Sequence, residues 1–498
     1  MDSLIYSANY PILSFLVFLP LVGIPLLFLV PEKPFSKILA LVVTLVNAFV
    51  SLLLLSGFDR GTAKYQFAEH HAWIRPLHIN YTLGIDGISL PLVLLTTFLM
   101  PLCILCSWRS IEKRVREFLA CILLMETAML GVFMALDFVL FYVMWEAMLI
   151  PMFLIIGIWG GPRKVYASVK FFLYTLAGSV MLPVAMVALY YASAPHTFFI
   201  PDLMGKNFPP LFQAFIFGAF FVAFAVKVPM FPVHTWLPAA HVEAPAAGSV
   251  LLASVLLKMG AYGFLRFCLP ITPGAVSAAL PYLLILSLVA ILYGGLTALS
   301  QSDMKRLVAY SSVGHMGFVT LGIFVLNTQG IEGALLQMIN HGITTGALFL
   351  CVGLIYERTH SRELGSILGI MHRMPVFVAF LACFCLSSLA FPGTNSFVGE
   401  FLILAGAFAH SHLLLACAIP GAVLAAAYML RMLQKIMFGG VHNPDNSGLK
   451  DLNLREFATL LPLAILVFWL GLAPGPLLDL MRVSVKHLVD QVHGGITL

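Results

Sequence analysis

AFAVKVPMFPVHTW, residues 223–236, sets Lys227 at the end of an apolar stretch and then interrupts it with Pro229 and Pro232. Proline has no N–H to donate, and its ring clashes with the carbonyl four residues back, so a helix cannot run through this point unbroken. A second stretch has the same pattern. In SLAFPGTNSFVGEFL, residues 388–402, Pro392, Gly393 and Gly399 stand just ahead of Glu400. Both interruptions fall within long apolar stretches, of the roughly 20 residues a helix needs to cross a bilayer. Irregular backbone at that depth is tolerated only where protein or water lines a cavity. Two broken membrane helices therefore frame the fold.

The rest of the chain agrees. Of 498 residues, 61% are hydrophobic and 10% charged, and the mean hydropathy is +0.99. A water-soluble chain of this length could not hide so much apolar surface. The net charge of +5 is therefore no sign of nucleic-acid binding. Its meaning lies in where the basic residues sit. Apolar windows predict an all-α integral membrane protein of about 14 spans, centred near 20, 47, 97, 127, 148, 181, 220, 258, 289, 317, 344, 390, 424 and 466. The longest polar connection is 57–86. The first apolar segment is followed by Pro31, Glu32 and Lys33 instead of a small-residue cleavage site, so it reads as a retained helix.

Lysine and arginine fix the orientation. Sixteen loop residues, among them Lys33, Arg114, Arg163, Lys305, Arg362 and Arg455, fall on one side, against six on the other, among them Arg60, Lys206 and Arg482. The richer side is the cytoplasm or its equivalent, and both termini then face the opposite compartment. The two breaks occupy the seventh and twelfth spans, five apart, so these helices cross in opposite directions. Paired broken helices in oppositely oriented halves mark an inverted-repeat transporter. The expected organisation is residues 1–117 for spans 1–3, 118–270 for a first five-helix repeat, 271–438 for its inverted counterpart, and 439–498 for a loop and a fourteenth helix.

Five charged residues stand out within spans: Glu126, Glu146, Lys227, Lys258 and Glu400. A charge at a helix centre costs about 2.5–3.5 kcal/mol on insertion scales, so each needs a partner, water or a function. Glu146 lies in FYVMWEAMLIP and reads either as a structural ion-pair partner or as a proton-bearing carboxylate coupled to Lys227. Lys227 adjoins a break where freed carbonyls and water can solvate an ammonium. Buried lysine changes its protonation state readily, which arginine does not. Lys258, in LLASVLLKMGAYGF, is mid-span and cannot snorkel. His315 in YSSVGHMGF and His341 in QMINHGITTGAL can bond a neighbouring helix or, titrating near neutrality, relay protons. Glu400 closes the series as an exit or gate group, or as a charge at the start of a half-helix. Glu126 is equally compatible with a structural and a proton-entry role. In chain order Glu146, Lys227, Lys258, His315, His341 and Glu400 form an acid–base row along which each change of charge alters its neighbours' affinity for protons.

These same residues carry a family likeness. LFYVMWEAMLIPMFLIIGIWGG (140–161), the 224–267 stretch from FAVKVPMFPVHTW to LLKMGAYGFLRF, SDMKRLVAYSSVGHMGF (302–318), MINHG (338–342) and FPGTNSFVGEF (391–401) resemble the M-type antiporter-like subunits of proton-translocating NADH–quinone oxidoreductase, respiratory complex I. The resemblance runs from about 85 to 440. It implies a non-redox subunit that translocates protons while quinone is reduced elsewhere. Glu146 corresponds to the family's pairing glutamate, Lys227 to its broken-helix lysine and Lys258 to its central lysine. His315 and His341 correspond to its bridging histidines, and Glu400 to its terminal acid. Glutamate at the last position favours the M type over L-type and N-type subunits, which carry lysine there. The expected setting is the bacterial cytoplasmic membrane or an equivalent, with L-type and N-type subunits, lipid and protons as partners. FMN, iron–sulfur clusters and quinone belong to other subunits.

Several classes are disfavoured. No Rossmann glycine pattern, phosphate loop, haem site or iron–sulfur cysteine run is present, so no cofactor, metal or nucleic acid is expected on this chain. The eight cysteines lie in or beside apolar stretches. Cys103 and Cys106 have CxxC spacing without a second pair, and read as buried thiols. A lone solute–proton symporter would cluster its polar residues around a substrate, whereas here they form a row. A purely structural scaffold leaves the buried charges unexplained. The nearest rivals are M-like subunits of a ferredoxin–plastoquinone oxidoreductase, a membrane hydrogenase or a multisubunit cation/proton antiporter.

Overall fold

The computed structural model describes residues 5–7, 10–438 and 448–496. Among the described residues, thirteen helices are long and apolar enough to cross a membrane, from Ile12–Leu29 through Leu454–Leu472. The twelfth crossing is in two pieces, Pro375–Ser388 and Asn395–His410, which brings the number of crossings to fourteen. The chain ends support an even number. Strand β1 (Ile5–Ser7) pairs with β2 (Tyr65–Ile74), and the last helix, Gly475–Ile496, receives the Gly87 N–H on Ser484 Oγ at 3.0 Å. Both ends therefore pack on the 57–89 connection, on the face opposite the basic loops.

Two elements go beyond the sequence reading. The polar connection 57–86 is a β-hairpin, with β2 antiparallel to β3 (Ile79–Ile85). Asp137 fastens it to the bundle. One carboxylate oxygen accepts the Asn80 N–H at 2.9 Å, while the other caps the fifth span through Val139 N–H, also at 2.9 Å. Burial raises this carboxyl to about 6, against the pull of those donors. The second addition is the helix Gly475–Ile496 after the fourteenth span. Part of the expected loop at 439–453 lies outside the described residues.

Both expected breaks are present. The seventh span, Pro210–Lys227, stops at its lysine and resumes as Trp236–Glu243. Pro229 cannot serve the Ala225 carbonyl, so Met230 N–H takes it at 2.7 Å. The Val226 carbonyl left over accepts Trp236 Nε1–H at 2.8 Å. Each acceptor freed by the proline thus finds a donor inside the protein, as a low-dielectric surrounding requires. In the twelfth span the turn passes through Gly393 at φ +92°, a conformation that suits glycine.

Helices without a hydrophobic drive to associate in lipid pack through small residues. The ninth span (Pro273–Leu299) and tenth (Met304–Phe324) meet at Gly294, where an added Cβ would lie 2.6 Å from the Gly314 backbone nitrogen. Backbone cannot yield as a side chain can, so Gly294→Val should push the two helices apart and deplete assembled complex on native gels. Wild-type assembly of this variant would rule out a close-packed contact there.

Candidate proton-transfer site

The six expected residues fall into two groups. The first surrounds a bend in the fifth span, whose halves are Phe138–Ala147 and Leu149–Trp159. Glu146 lies at the bend and is half-buried. Its Oε1 accepts a hydrogen bond from Ser179 Oγ, at the end of the helix Lys164–Ser179. Lys227 is 2% exposed. Its ammonium stands 5.1 Å from the centre of the Trp145 ring, a cation–π contact, and Nζ has no hydrogen-bond partner among the described residues. Glu146 and Lys227 are therefore neighbours across Trp145 and not a closed ion pair. A buried ammonium held by a ring face alone is poorly compensated, which suits a group that changes protonation state.

The second group is continuous. Lys258 is fully buried in the eighth span, Ala246–Ile271, which runs through two π-helical segments, Leu252–Leu256 and Phe264–Cys268. Its ammonium donates to the Ala253 carbonyl and lies 2.6 Å from His341 Nδ1. The His341 and His315 rings are 5.7 Å apart between centres. His315 Nδ1 is 3.1 Å from Glu400 Oε1, and its Nε2 is 3.2 Å from Ser388 Oγ. Gln337 Nε2–H donates to the same Glu400 oxygen at 3.1 Å. These four titratable groups are each at most 4% exposed. An amine meets an imidazole, a second imidazole follows, and a carboxylate closes the series. A proton on Lys258 Nζ faces the lone pair of His341 Nδ1 directly, and a neutral lysine would reverse the roles.

No hydrogen bond joins Lys227 to Lys258 among the described residues, so the hydrogen bonds of the row lie within each group and not between them. Glu126 stands apart. It is fully buried in the fourth span (Val115–Met134), and Oε1 accepts from Asn47 Nδ2 at 2.7 Å. That contact looks toward the second span (Phe35–Gly57) and away from the row. Glu126→Gln is expected to leave proton uptake by the assembled complex near wild type. A collapse of uptake would place Glu126 on the path.

Sequence reasoning missed the supporting residues. Trp145, Ser179 and Ser388 are neutral and only weakly polar, and Gln337, though polar within a span, is uncharged. Arg266 was a legible signal that went unused, since it sits eight residues beyond Lys258 on the same helix. It forms a bidentate buried ion pair with Asp86, at 2.7 and 3.0 Å. Burial works against the Asp86 charge, but the guanidinium prevails and holds that carboxyl below the usual range. Breaking such a pair by removing one partner costs about 3–5 kcal/mol.

Two family models cover most of the chain. The amino-terminal model of NADH-ubiquinone oxidoreductase chain 4 matches residues 12–132. The membrane model shared by NADH:quinone oxidoreductase and Mrp antiporters matches residues 135–425. NADH-quinone oxidoreductase subunit M of Rhodobacter capsulatus is 48% identical over 97% of this chain and 98% of that protein. The chain belongs to this family. NADH-ubiquinone oxidoreductase chain 4 of Chondrus crispus is 44% identical over 95% of this chain and 96% of its own length. A chain in respiratory complex I from Thermus thermophilus with bound NADH is 31% identical, with a TM-score of 0.88 over 96% of this chain and 99% of that one. The protein is thus an antiporter-like, multi-pass membrane subunit of the NADH-quinone oxidoreductase type, which sets aside the membrane-hydrogenase, ferredoxin–plastoquinone oxidoreductase and multisubunit-antiporter readings. All six row residues fall within 135–425, the segment shared with antiporters. Glu126 lies in the amino-terminal segment.

Proposed function

We propose that this subunit moves protons through Glu146, Lys227, Lys258, His341, His315 and Glu400 while other subunits reduce quinone. The observation that carries the reading is the enclosed series from Lys258 through both histidines to Glu400, linked by hydrogen bonds and ring contact. Such a row has no structural purpose that apolar residues would not serve more cheaply in lipid. Each member can hold or release a proton, and each charge biases the next. Glu146 and Lys227 form the other end, which responds to charge changes transmitted across the bilayer plane. The chain's own contribution is proton handling, with FMN, iron–sulfur clusters and quinone held by other subunits. L-type and N-type antiporter-like subunits are its neighbours in the bacterial cytoplasmic membrane or its equivalent. Spans 4–8 and 9–13 act as two inverted repeats, each with its broken helix beside a titratable residue.

The test is Glu400→Gln in assembled complex within membrane vesicles. Glutamine keeps the acceptor for Gln337 but cannot be ionised. Proton uptake and NADH-driven quinone reduction are both expected to fall by at least about tenfold, a floor below the roughly 10²–10⁴-fold typical of a positioned proton-transfer group. Full activity of both in an assembled complex would remove Glu400 from the relay.

A further inference from the structure

The eighth span stacks Lys258, Tyr262 and Arg266 toward the face that carries the hairpin and the last helix. Beyond Arg266 lies a cavity of about 350 Å³, whose walls include Asp86, Tyr65, Lys64, Ser484 and His487. That volume holds several waters at about 30 Å³ each. The cavity stops at the guanidinium, which four hydrogen bonds hold in place. Its Nε–H donates to Tyr262 Oη at 3.1 Å, one Nη donates to Tyr65 Oη at 2.8 Å, and both Nη grip Asp86. Tyr262 in turn donates to the Phe133 carbonyl at 3.2 Å and packs edge-on against that ring, with centres 5.4 Å apart. Neither end of the hydroxyl is left to pass a proton inward.

We infer that Arg266, Asp86 and Tyr262 form an outward seal, which keeps protons of the outer compartment from reaching Lys258 through the cavity. Arginine stays protonated and so cannot relay a proton from the cavity toward Lys258. Asp86 holds the guanidinium in place, and the Tyr262–Phe133 contact closes the remaining gap. The central lysine then exchanges protons along the row, and not directly with the outer side. This inference rests on the proton-relay reading above.

The test uses the assembled complex in vesicles carrying the double variant Asp86→Asn/Arg266→Gln, which removes both charges together and leaves amides able to bond. An imposed pH gradient is followed without NADH, and quinone reduction is measured separately. The expected result is a severalfold faster passive decay with quinone reduction retained, and restoration of slow decay when Lys258→Met is added. Wild-type tightness of the double variant overturns the seal, and so does a leak that persists without Lys258. If the double variant does not assemble, Tyr262→Ala removes the ring that packs on Phe133 and leaves the Arg266–Asp86 pair in place. It should also quicken decay, and unchanged decay overturns the seal. Lys258→Met alone separates the two ideas: normal pumping in that variant sinks the relay reading, whereas lost pumping with a tight double variant sinks only the seal.

Discussion

Glu146→Gln is expected to abolish proton uptake and NADH-driven quinone reduction together in a complex that still assembles. The substitution is nearly isosteric, and its carbonyl oxygen still accepts the Ser179 hydroxyl. Packing at the bend between Phe138–Ala147 and Leu149–Trp159 is therefore unchanged, and only the capacity to ionise is lost. Lys227 would keep its place over the Trp145 ring but lose the charge that responds to it. Because pumping and electron flow are tightly linked, stalling one stalls the other, and both should drop by about tenfold or more. Ser179→Ala, which removes a donor and leaves the acid, should do much less. Near-normal rates in an assembled Glu146→Gln complex would reduce Glu146 to a structural charge.

Lys227→Arg should be as damaging as Lys227→Ala. The two readings of this lysine diverge most sharply here. If the ammonium merely stabilises the backbone at the helix break, arginine would serve, since it keeps the charge and adds donors. If the residue must give up its proton in each cycle, arginine fails, because it does not deprotonate within a protein. A lysine whose partner is a ring face, with no bound acceptor among the described residues, fits the second case. The comparison is quinone reduction and proton uptake in vesicles, with Lys164→Gln as a control on the loop side. Arginine restoring most of the activity that alanine loses would show that charge alone matters at this position.

The membrane crossings and both breaks were legible because the underlying signals are local. A run of apolar residues must span lipid, and Pro229 with Pro232, and Pro392 with Gly393, concentrate helix-breaking residues at two points, whereas single prolines such as Pro101 and Pro281 are carried inside continuous spans. The members of the row were legible for a related reason. Charge in an apolar window is rare enough to mark Lys258 or Glu400 without knowledge of any neighbour. The pairing was less legible. Chain order places His315 before His341, whereas the structure runs from Lys258 to His341 and then to His315 and Glu400, because the eleventh span (Thr328–Thr359) packs between the eighth and the twelfth. The Arg266–Asp86 pair joins positions 180 residues apart, and no window contains both. The hairpin and the last helix escaped for want of hydropathy, since β2 carries Glu69, His70 and His71, and Gly475–Ile496 alternates charged and apolar residues.

The eighth helix has a further property that follows from its two π-helical segments. A π turn accommodates one residue more than an α turn, so this helix holds a surplus residue on each side of Lys258. Deleting one residue within Phe264–Cys268 would leave an ordinary α-helix of sound hydrogen bonding. Everything beyond the deletion would keep its direction, because the wide turn already absorbs the surplus residue. Were the same extra residue wound into a plain α-helix, all that follows would swing by about 100°, so each segment acts as a clutch that lets the helix carry one more residue without re-aiming its neighbours.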